Sequence, residues 1–231
     1  MPELLAFDCS TDTLSVAVQH GDRVIARTQA GGAQASAALI PLIHELLAEA
    51  GLTLHGLQAL VFGRGPGAFT GLRTACAVAQ GLGYGADIPV LPIDTLHAVA
   101  EEARHATGAA QVLAVLDARM DEVYAAACDT AAGRCEAPRL MAPEQVQVPP
   151  GFLLAGNAFT AYGERLPADV PRHACLPTAT ALLRLAPAML AAGRAVPAAE
   201  AQPLYVRDKV AQTTAEREAI RNAAATGATP A

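Results

Sequence analysis

The sequence of 231 residues contains no tryptophan, and only 4% of its residues are aromatic. Alanine, leucine and valine must therefore build most of the core. Charged residues make up 16% of the chain, and the formal net charge is −6. Because contacts to phosphates need clustered lysine and arginine, this balance argues against a large nucleic-acid-binding face on the chain alone. This charge balance does not exclude a chain that acts together with a basic partner.

Cysteine usage argues against two further classes of protein. The five cysteines are odd in number and no two of them have C-x-x-C spacing, so neither a zinc site nor a disulfide framework is expected. Their positions are Cys9, Cys76, Cys128, Cys135 and Cys175. No signal-peptide pattern and no apolar run of about 18 residues occurs, so we expect a cytoplasmic protein with reduced cysteines and no membrane partner.

The first half of the chain alternates apolar runs with turn residues. Residues 3–27 predict a three-stranded antiparallel meander with a hairpin turn at Gly21. Apolar residues at helical spacing over 34–51 predict a helix with Gly51 as its C-cap. A strand, a helix, a strand and a helix follow, over residues 56–62, 68–84, 88–93 and 95–105. This β-β-β-α-β-α-β-α order matches a ribonuclease-H-like lobe.

The second half resembles a shortened repeat of the first half. Predicted strands lie at residues 112–116, 122–128, 134–141 and 152–155, and predicted helices at 157–165 and 178–192. Asp8 and Asp117 each follow an apolar strand and precede a turn, which is weak evidence for an internal repeat. Residues 202–207 form a short extended segment.

The predicted fold class is therefore α/β, with two ribonuclease-H-like lobes of the actin, hexokinase and sugar-kinase type, the second one shortened. We assign residues 1–107 to the N-terminal lobe and residues 108–207 to the C-terminal lobe. Residues 208–231 are polar and alanine-rich, which predicts a mobile tail.

The glycine-rich stretch from Gly63 to Arg73 predicts a strand, a tight turn and a helix. Such a turn presents backbone N–H groups at a helix N-terminus, where phosphates bind. A Walker A motif is excluded because the stretch contains no lysine. The dinucleotide pattern G-x-G-x-x-G fails because Gly71 comes one position late after Gly65 and Gly67. A phosphate cradle and a close-packed turn both remain open.

A remnant of a nucleotide-binding site is one interpretation of the two turns near the first strand. Its candidate residues are Asp8, Ser10, Thr11, Gly65 and Gly67. The alternative is that Asp8 and Ser10 only cap their turn. A kinase of this architecture also needs a second turn near Asp117 and a glycine-rich adenosine site, where this sequence offers only Gly156.

Several segments, in their order and spacing, carry a resemblance to a known family. They are residues 5–11, 39–43, 65–73, 116–119, 122–124, 156–158 and 203–207. With these segments the chain resembles the TsaB (YeaZ) family, a subunit of the bacterial machinery that makes threonylcarbamoyladenosine in tRNA next to the anticodon. One departure lies at residues 34–36, which read Gln-Ala-Ser where the family often has a His-Ser pair.

The resemblance implies a comparison with TsaD, the catalytic subunit of the same fold. TsaD holds a metal with a His-x-x-x-His pair on the helix after the Pro-Val strand, and this spacing places both imidazoles on one helix face. Here that helix carries His97, and the position four residues on is Glu101, so no metal site is expected. The acidic set of a ribonuclease-H nuclease and the G-x-S-x-G motif of a hydrolase are absent as well.

Small residues recur every three or four positions from Ala68 to Gly83, so one helix has a smooth face. Packing on the chain's own sheet is one interpretation. The resemblance implies another, in which this helix and the helix at 34–51 form a bundle with TsaD, or with a second copy of the chain when TsaD is absent. The predicted interface residues are Leu39, Leu42, Ile43, Ala68, Phe69, Gly71, Leu72, Arg73, Ala75 and Ala79.

The resemblance thus implies a non-catalytic scaffold or dimerisation subunit. It would bind TsaD and, with the ATPase TsaE, support transfer of threonylcarbamoyl from threonylcarbamoyl-AMP to N6 of the adenosine next to the anticodon in tRNAs that read ANN codons. The chain would contact tRNA only through the complex. We expect no metal and no resident cofactor, with ATP or ADP considered at the junction with TsaD. The alternative is an enzyme, either an ATP-binding kinase-like protein or a (glyco)metallopeptidase.

Overall fold

The computed structural model describes residues 2–207, so the predicted mobile tail at 208–231 lies outside the described residues. The N-terminal half forms a first sheet of five strands: β1 (Leu4–Asp8), β2 (Thr13–His20), β3 (Arg23–Ala30), β4 (Ala59–Gly65) and β5 (Val90–Asp94). Their order is β3-β2-β1-β4-β5, with β1 antiparallel to β2 and parallel to β4. The predicted meander is confirmed, and Gly21 turns its hairpin with φ of +59°.

Three helices alternate with these strands: α1 (Ala35–Ala50), α2 (Phe69–Ala86) and α3 (Thr95–Thr107). The predicted order of the first eight elements is confirmed. α1 ends where Gly51 adopts a left-handed φ of 70°, so the predicted C-cap is confirmed too. α1 and α2 pack side by side on one face of the first sheet, and Phe7 and Leu39 lie in their common core.

The C-terminal half forms a second sheet, which consists of β6 (Gln111–Arg119), β7 (Glu122–Asp129), β8 (Arg134–Cys135), β9 (Arg139–Met141), β10 (Leu153–Gly156) and β11 (Arg172–Ala174). The strand order is β11-β10-β6-β7-β8, and β9 also pairs with β7. Leu96 and Val99 of α3 pack against this sheet, whereas Ala98 packs against the first sheet. α3 therefore lies between the two sheets.

Two further helices complete the described part: α4 (Phe159–Tyr162) and α5 (Ala179–Ala191). α5 packs on the second face of the first sheet, where Leu182 shares a core with Leu4 and Ala6. The first sheet is thus covered by helices on both faces, and one of these helices comes from the C-terminal half. The lobe boundary at residues 107 and 108 stays a prediction.

Three predicted elements differ from the structure. The helix expected at 157–165 is a single turn that ends before Gly163, which is a poor helix former. The strand expected at 134–141 is split into β8 and β9 around Pro138, which has no N–H to donate to a sheet. β11 was not predicted because its residues, Arg-His-Ala, show no apolar alternation.

Cys128 and Cys135 are joined by a disulfide, so the expectation of unpaired cysteines is wrong. The two residues lie directly opposite each other on β7 and β8, with their Cα atoms 4.0 Å apart. An odd number of cysteines excludes pairing of all five but does not exclude one pair. The other three cysteines, Cys9, Cys76 and Cys175, are free thiols.

Candidate functional site

The glycine-rich turn between β4 and α2 is pressed against neighbouring backbone. A Cβ atom on Gly65, whose φ is +119°, would lie 2.6 Å from the Leu204 carbonyl oxygen. A Cβ on Gly67 would overlap the Ser10 carbonyl oxygen, and this oxygen accepts a hydrogen bond of 2.7 Å from the Ala68 N–H. These two glycines allow three chain segments to approach closely, which agrees with the interpretation of this stretch as a close-packed turn.

Asp8 lies at the end of β1 and is almost completely buried. Its Oδ1 accepts hydrogen bonds from the Ser10 N–H at 2.8 Å and from the Ser10 hydroxyl at 2.6 Å. Its Oδ2 lies against Gly63 and has no hydrogen-bond partner among the described residues. Burial raises the pKa of Asp8 to about 6, because removal of water opposes ionisation more than the two hydrogen bonds favour it.

The raised pKa of Asp8 predicts a loss of stability with rising pH. The folded protein binds this proton more tightly than the unfolded chain, so the stabilisation is present at low pH and is lost as pH rises from about 4 to about 6. Asp8→Asn removes the titration and keeps the oxygen that Ser10 binds. Relative to the wild type, the variant should gain about 3 kcal/mol of unfolding free energy between about pH 4 and about pH 7.

Urea unfolding at both pH values measures this difference for Asp8→Asn. Asp22→Asn, in the exposed hairpin turn, is the control and should follow the wild-type pH profile. If the unfolding free energy of Asp8→Asn changes with pH in the same way as that of the wild type, Asp8 does not titrate near pH 6.

A small cavity of about 80 Å³ lies between the carboxyl ends of β1 and β6. Of the five candidates for a nucleotide remnant, Ser10, Thr11 and Gly67 line this cavity, whereas Asp8 and Gly65 do not. Pockets for small molecules typically have volumes of about 300 Å³ or more. This cavity alone is smaller than that, but Gly67, Ala68 and Tyr124 also line a second cavity that adjoins it.

The second sheet repeats the strand-Asp-turn arrangement of the first sheet. The Asp117 carboxylate accepts a hydrogen bond from the backbone N–H two residues on, that of Arg119, as Asp8 does from Ser10. Asp117 is also held by the Tyr162 hydroxyl, which donates at 3.0 Å, and its own N–H donates to the Asn157 side chain at 2.9 Å. Sequence reasoning missed both of these partners, because they follow a different strand.

The structure corrects the predicted interface on α1 and α2 at most of its positions. Seven of the ten predicted residues are buried in the chain's own core: Leu39, Leu42, Ile43, Gly71, Leu72, Ala75 and Ala79. The row of small residues on α2 faces the first sheet and allows close packing there. A buried side chain offers no surface to a partner, so the interface stays a prediction only for Ala68, Phe69 and Arg73.

The opposite side of α2 is exposed and uncharged. No charged residue occurs between Arg73 and Asp87, and Ala77 and Gly81 lie on the exposed side, where a Cβ on Gly81 would meet no atom within 4 Å. Tyr84, one turn further on, is 82% exposed. These residues, Ala77, Gly81 and Tyr84, are called the outer face of α2 below.

Large exposed hydrophobic side chains are few, and two of them lie near the start of α2. Among the described residues there are five, namely Val24, Ile40, Tyr84, Met120 and Tyr205. Ile40 lies on α1 and Tyr84 on α2, while Met120 and Tyr205 lie near the N-terminal end of α2. Met120 and Tyr205 therefore lie together, whereas Tyr84 lies near the other end of α2. Contiguous exposed apolar side chains mark interaction surfaces.

The described residues contain no cluster of three or more histidine, cysteine, aspartate or glutamate side chains that could hold a metal ion. In the same range, no helix is both long enough and apolar enough to cross a lipid bilayer.

Comparisons with known proteins agree with this fold. The family model described as TsaD, tRNA N6-adenosine threonylcarbamoyltransferase, matches residues 29–215. The chain is 34% identical to the tRNA threonylcarbamoyladenosine biosynthesis protein TsaB of Haemophilus influenzae, over 90% of this chain and 94% of that protein. Its identity to the protein of the same name in Escherichia coli is 33%, over 90% and 96% of the two chains.

The solved structure of YeaZ from Pseudomonas aeruginosa superposes with a TM-score of 0.83 at 39% identity, over 89% of this chain and all of that one. The chain belongs to the TsaB (YeaZ) family. The predicted α/β fold with ribonuclease-H-like lobes is thereby confirmed.

The resemblance compares α3 of this TsaB-family chain with the metal-binding helix of TsaD. In the structure, α3 carries ion pairs at the compared position. Glu101 accepts hydrogen bonds from Arg104 at 2.6 Å and from Arg184 of α5 at 2.7 Å. His97 lies one turn before Glu101, and burial lowers its pKa. Glu101 therefore links α3 to α5. His97 beside it offers one metal ligand, whereas the compared site in TsaD needs two histidines.

Proposed function

We propose that the chain is a non-catalytic scaffold subunit of a tRNA threonylcarbamoyltransferase complex. It binds the catalytic subunit TsaD and, with the ATPase TsaE, supports transfer of threonylcarbamoyl to N6 of the adenosine next to the anticodon. Two relatives at 33–34% identity, which cover 90% of the chain, bear the name of a tRNA threonylcarbamoyladenosine biosynthesis protein and support this role.

The observation that carries the proposal is the exposed, uncharged outer face of α2. Tyr84 is 82% exposed, and no charged residue occurs on α2 between Arg73 and Asp87. Alanine and glycine at the surface allow a partner helix to approach closely. In this proposal TsaD packs on the outer face of α2, and a second copy of the chain occupies the same face when TsaD is absent.

The chemistry of the other candidate sites supports a scaffold more than an enzyme. Asp8 is buried away from the inter-sheet cavity, and Glu101 is held in ion pairs with Arg104 and Arg184. The net charge of −6 supports contact with tRNA only through the complex. A nucleotide shared with TsaD stays a prediction.

Reconstitution tests the proposed role. With TsaD, TsaE, tRNA and threonylcarbamoyl-AMP present, omission of this chain should reduce formation of threonylcarbamoyladenosine by about 100-fold or more, because a complex without its scaffold lacks the geometry that transfer needs. Mass spectrometry of digested tRNA measures the product. Equal modification without the chain would overturn the proposal, and so would turnover of ATP or a peptide by the chain alone.

A further inference from the structure

The segment Ala201–Arg207, called the strap below, crosses from the first sheet to the second. At its start the Ala201 carbonyl accepts a hydrogen bond of 2.8 Å from the Gln80 side chain of α2. In its middle the Leu204 N–H donates to the Arg64 carbonyl at 2.7 Å. The strap is therefore fixed along the side of α2 and β4.

At its other end the strap holds the turn between β6 and β7. The Arg207 guanidinium donates to the Ala118 carbonyl at 3.0 Å and to Glu122 at 2.6 Å. The three residues in between, Arg119 to Asp121, all have left-handed φ values of 55° to 60°, which non-glycine residues rarely adopt. Arg207 thus supports a strained turn that presents Met120, which is 51% exposed.

Tyr205 of the strap forms a cluster with the first turns of α2. Its ring centre lies 5.3 Å from that of Phe69, and its hydroxyl accepts a hydrogen bond of 3.0 Å from Nε of Arg73. The Arg73 guanidinium also lies 3.8 Å above the Phe69 ring. These contacts hold the guanidinium in one orientation before any partner arrives.

Arg73 keeps hydrogen-bonding capacity for a partner. Within residues 2–207 it makes one hydrogen bond, to Tyr205, and no carboxylate lies within 4.0 Å of it. Arg119 and Arg207, its basic neighbours, are instead paired with Asp12 and Glu122. An oriented guanidinium with free N–H groups is suited to bind a carboxylate in a two-pronged arrangement.

An apolar cavity of about 250 Å³ lies beside this guanidinium. Its lining includes Phe69, Leu72, Met120, Leu204 and Val206. The volume suits one large apolar side chain. Arginine, tyrosine, phenylalanine and methionine are the residue types enriched at protein interfaces, and they dominate this small area.

We infer that Phe69, Arg73, Met120 and Tyr205 form a preformed docking surface for a segment of a partner protein. The segment presents one apolar side chain to the cavity and a neighbouring carboxylate to Arg73. Arg73 lies one turn before Ala77 on the same exposed stripe of α2, so this surface continues the outer face. The inference rests on the proposed role as a complex subunit, and it adds a second, charge-specific contact.

A protein segment suits this surface better than a nucleic acid does. RNA binding needs several unpaired basic groups, whereas Arg119 and Arg207, which line the cavity beside Arg73, are paired with Asp12 and Glu122 and the chain as a whole is acidic.

Titration calorimetry with purified TsaD tests the inference on the full-length chain. Arg73→Glu should weaken binding by about tenfold or more, and Met120→Ala by a similar factor, because each removes an anchor of the interface. Arg73→Ala should also lose much of the salt dependence that the wild type shows. Arg134→Glu, an exposed arginine on β8, is the matched control and should bind like the wild type.

The outcomes separate this inference from the proposed function. If Arg73→Glu binds like the wild type while Ala77→Arg on the outer face loses binding, the docking surface is wrong and the scaffold role stands. If the wild type does not bind TsaD, both are wrong. Binding of ATP or inorganic phosphate to the chain alone, lost in Arg73→Ala, would also overturn the inference in favour of a small anionic ligand.

Discussion

Gly71→Ala is expected to lower the free energy of unfolding by about 3 kcal/mol or more, although alanine is the better helix former. Gly71 lies in the first turn of α2, and a Cβ there would overlap the carbonyl oxygen of Cys9 at the end of β1. Because that oxygen belongs to the backbone, the overlap is relieved only if α2 moves away from the first sheet. Urea unfolding measures the loss.

Gly81→Ala is the matched control on the same helix. A Cβ on Gly81 would meet no atom within 4 Å, so the substitution should stabilise the protein by about 0.5–1 kcal/mol through helix propensity alone. Opposite signs for the two variants are the expected result. A stable Gly71→Ala protein would show that α2 lies further from β1 than in the structure.

Gly71 and Gly81 show that the sequence pattern alone does not predict what each side of α2 faces. Small residues occur on both sides of α2, and periodicity groups Gly71 with Ala75 and Ala79 without saying what that row faces. The pattern is compatible both with a partner interface and with packing on the chain's own sheet, and in the structure the row packs on the sheet. Only the tertiary fold shows that the uncharged side carrying Gly81 is the exposed one.

The first half of the fold was predictable because its signals are local. Continuous apolar runs mark β1 and β4, and Gly51 ends α1 in the left-handed conformation that glycine favours. The second half was less predictable. β8, β9 and β11 contain two or three residues each, and strands this short depend on their neighbours for hydrogen bonds.

The candidate site was predictable only in part, because it is assembled from distant segments. The resemblance pointed to residues 203–207 as a motif but said nothing of their position. The contact of Tyr205 with Arg73 joins residues 132 positions apart, and that of Arg207 with Glu122 joins residues 85 apart. Neither periodicity nor spacing reports such pairs. The same holds for the cavity that they enclose.

Ala77→Arg is expected to weaken the binding of TsaD by about 100-fold or more while leaving the chain folded. Ala77 is exposed on the outer face of α2, where arginine suits the helix as well as most residues do. In the complex, however, a large charged side chain would hold the partner helix away or be buried without a partner charge. Titration calorimetry measures the affinity, and circular dichroism during thermal unfolding checks the fold.

Ala132→Arg is the matched control for Ala77→Arg. Ala132 is also an exposed alanine, but it lies in the turn between β7 and β8 of the second sheet. The same change of size and charge there should leave TsaD affinity within about twofold, because a surface substitution away from an interface has little effect. If both variants bind equally well, TsaD does not use the outer face of α2. If both lose binding, added charge rather than position is responsible, and the assignment of the interface to α2 fails.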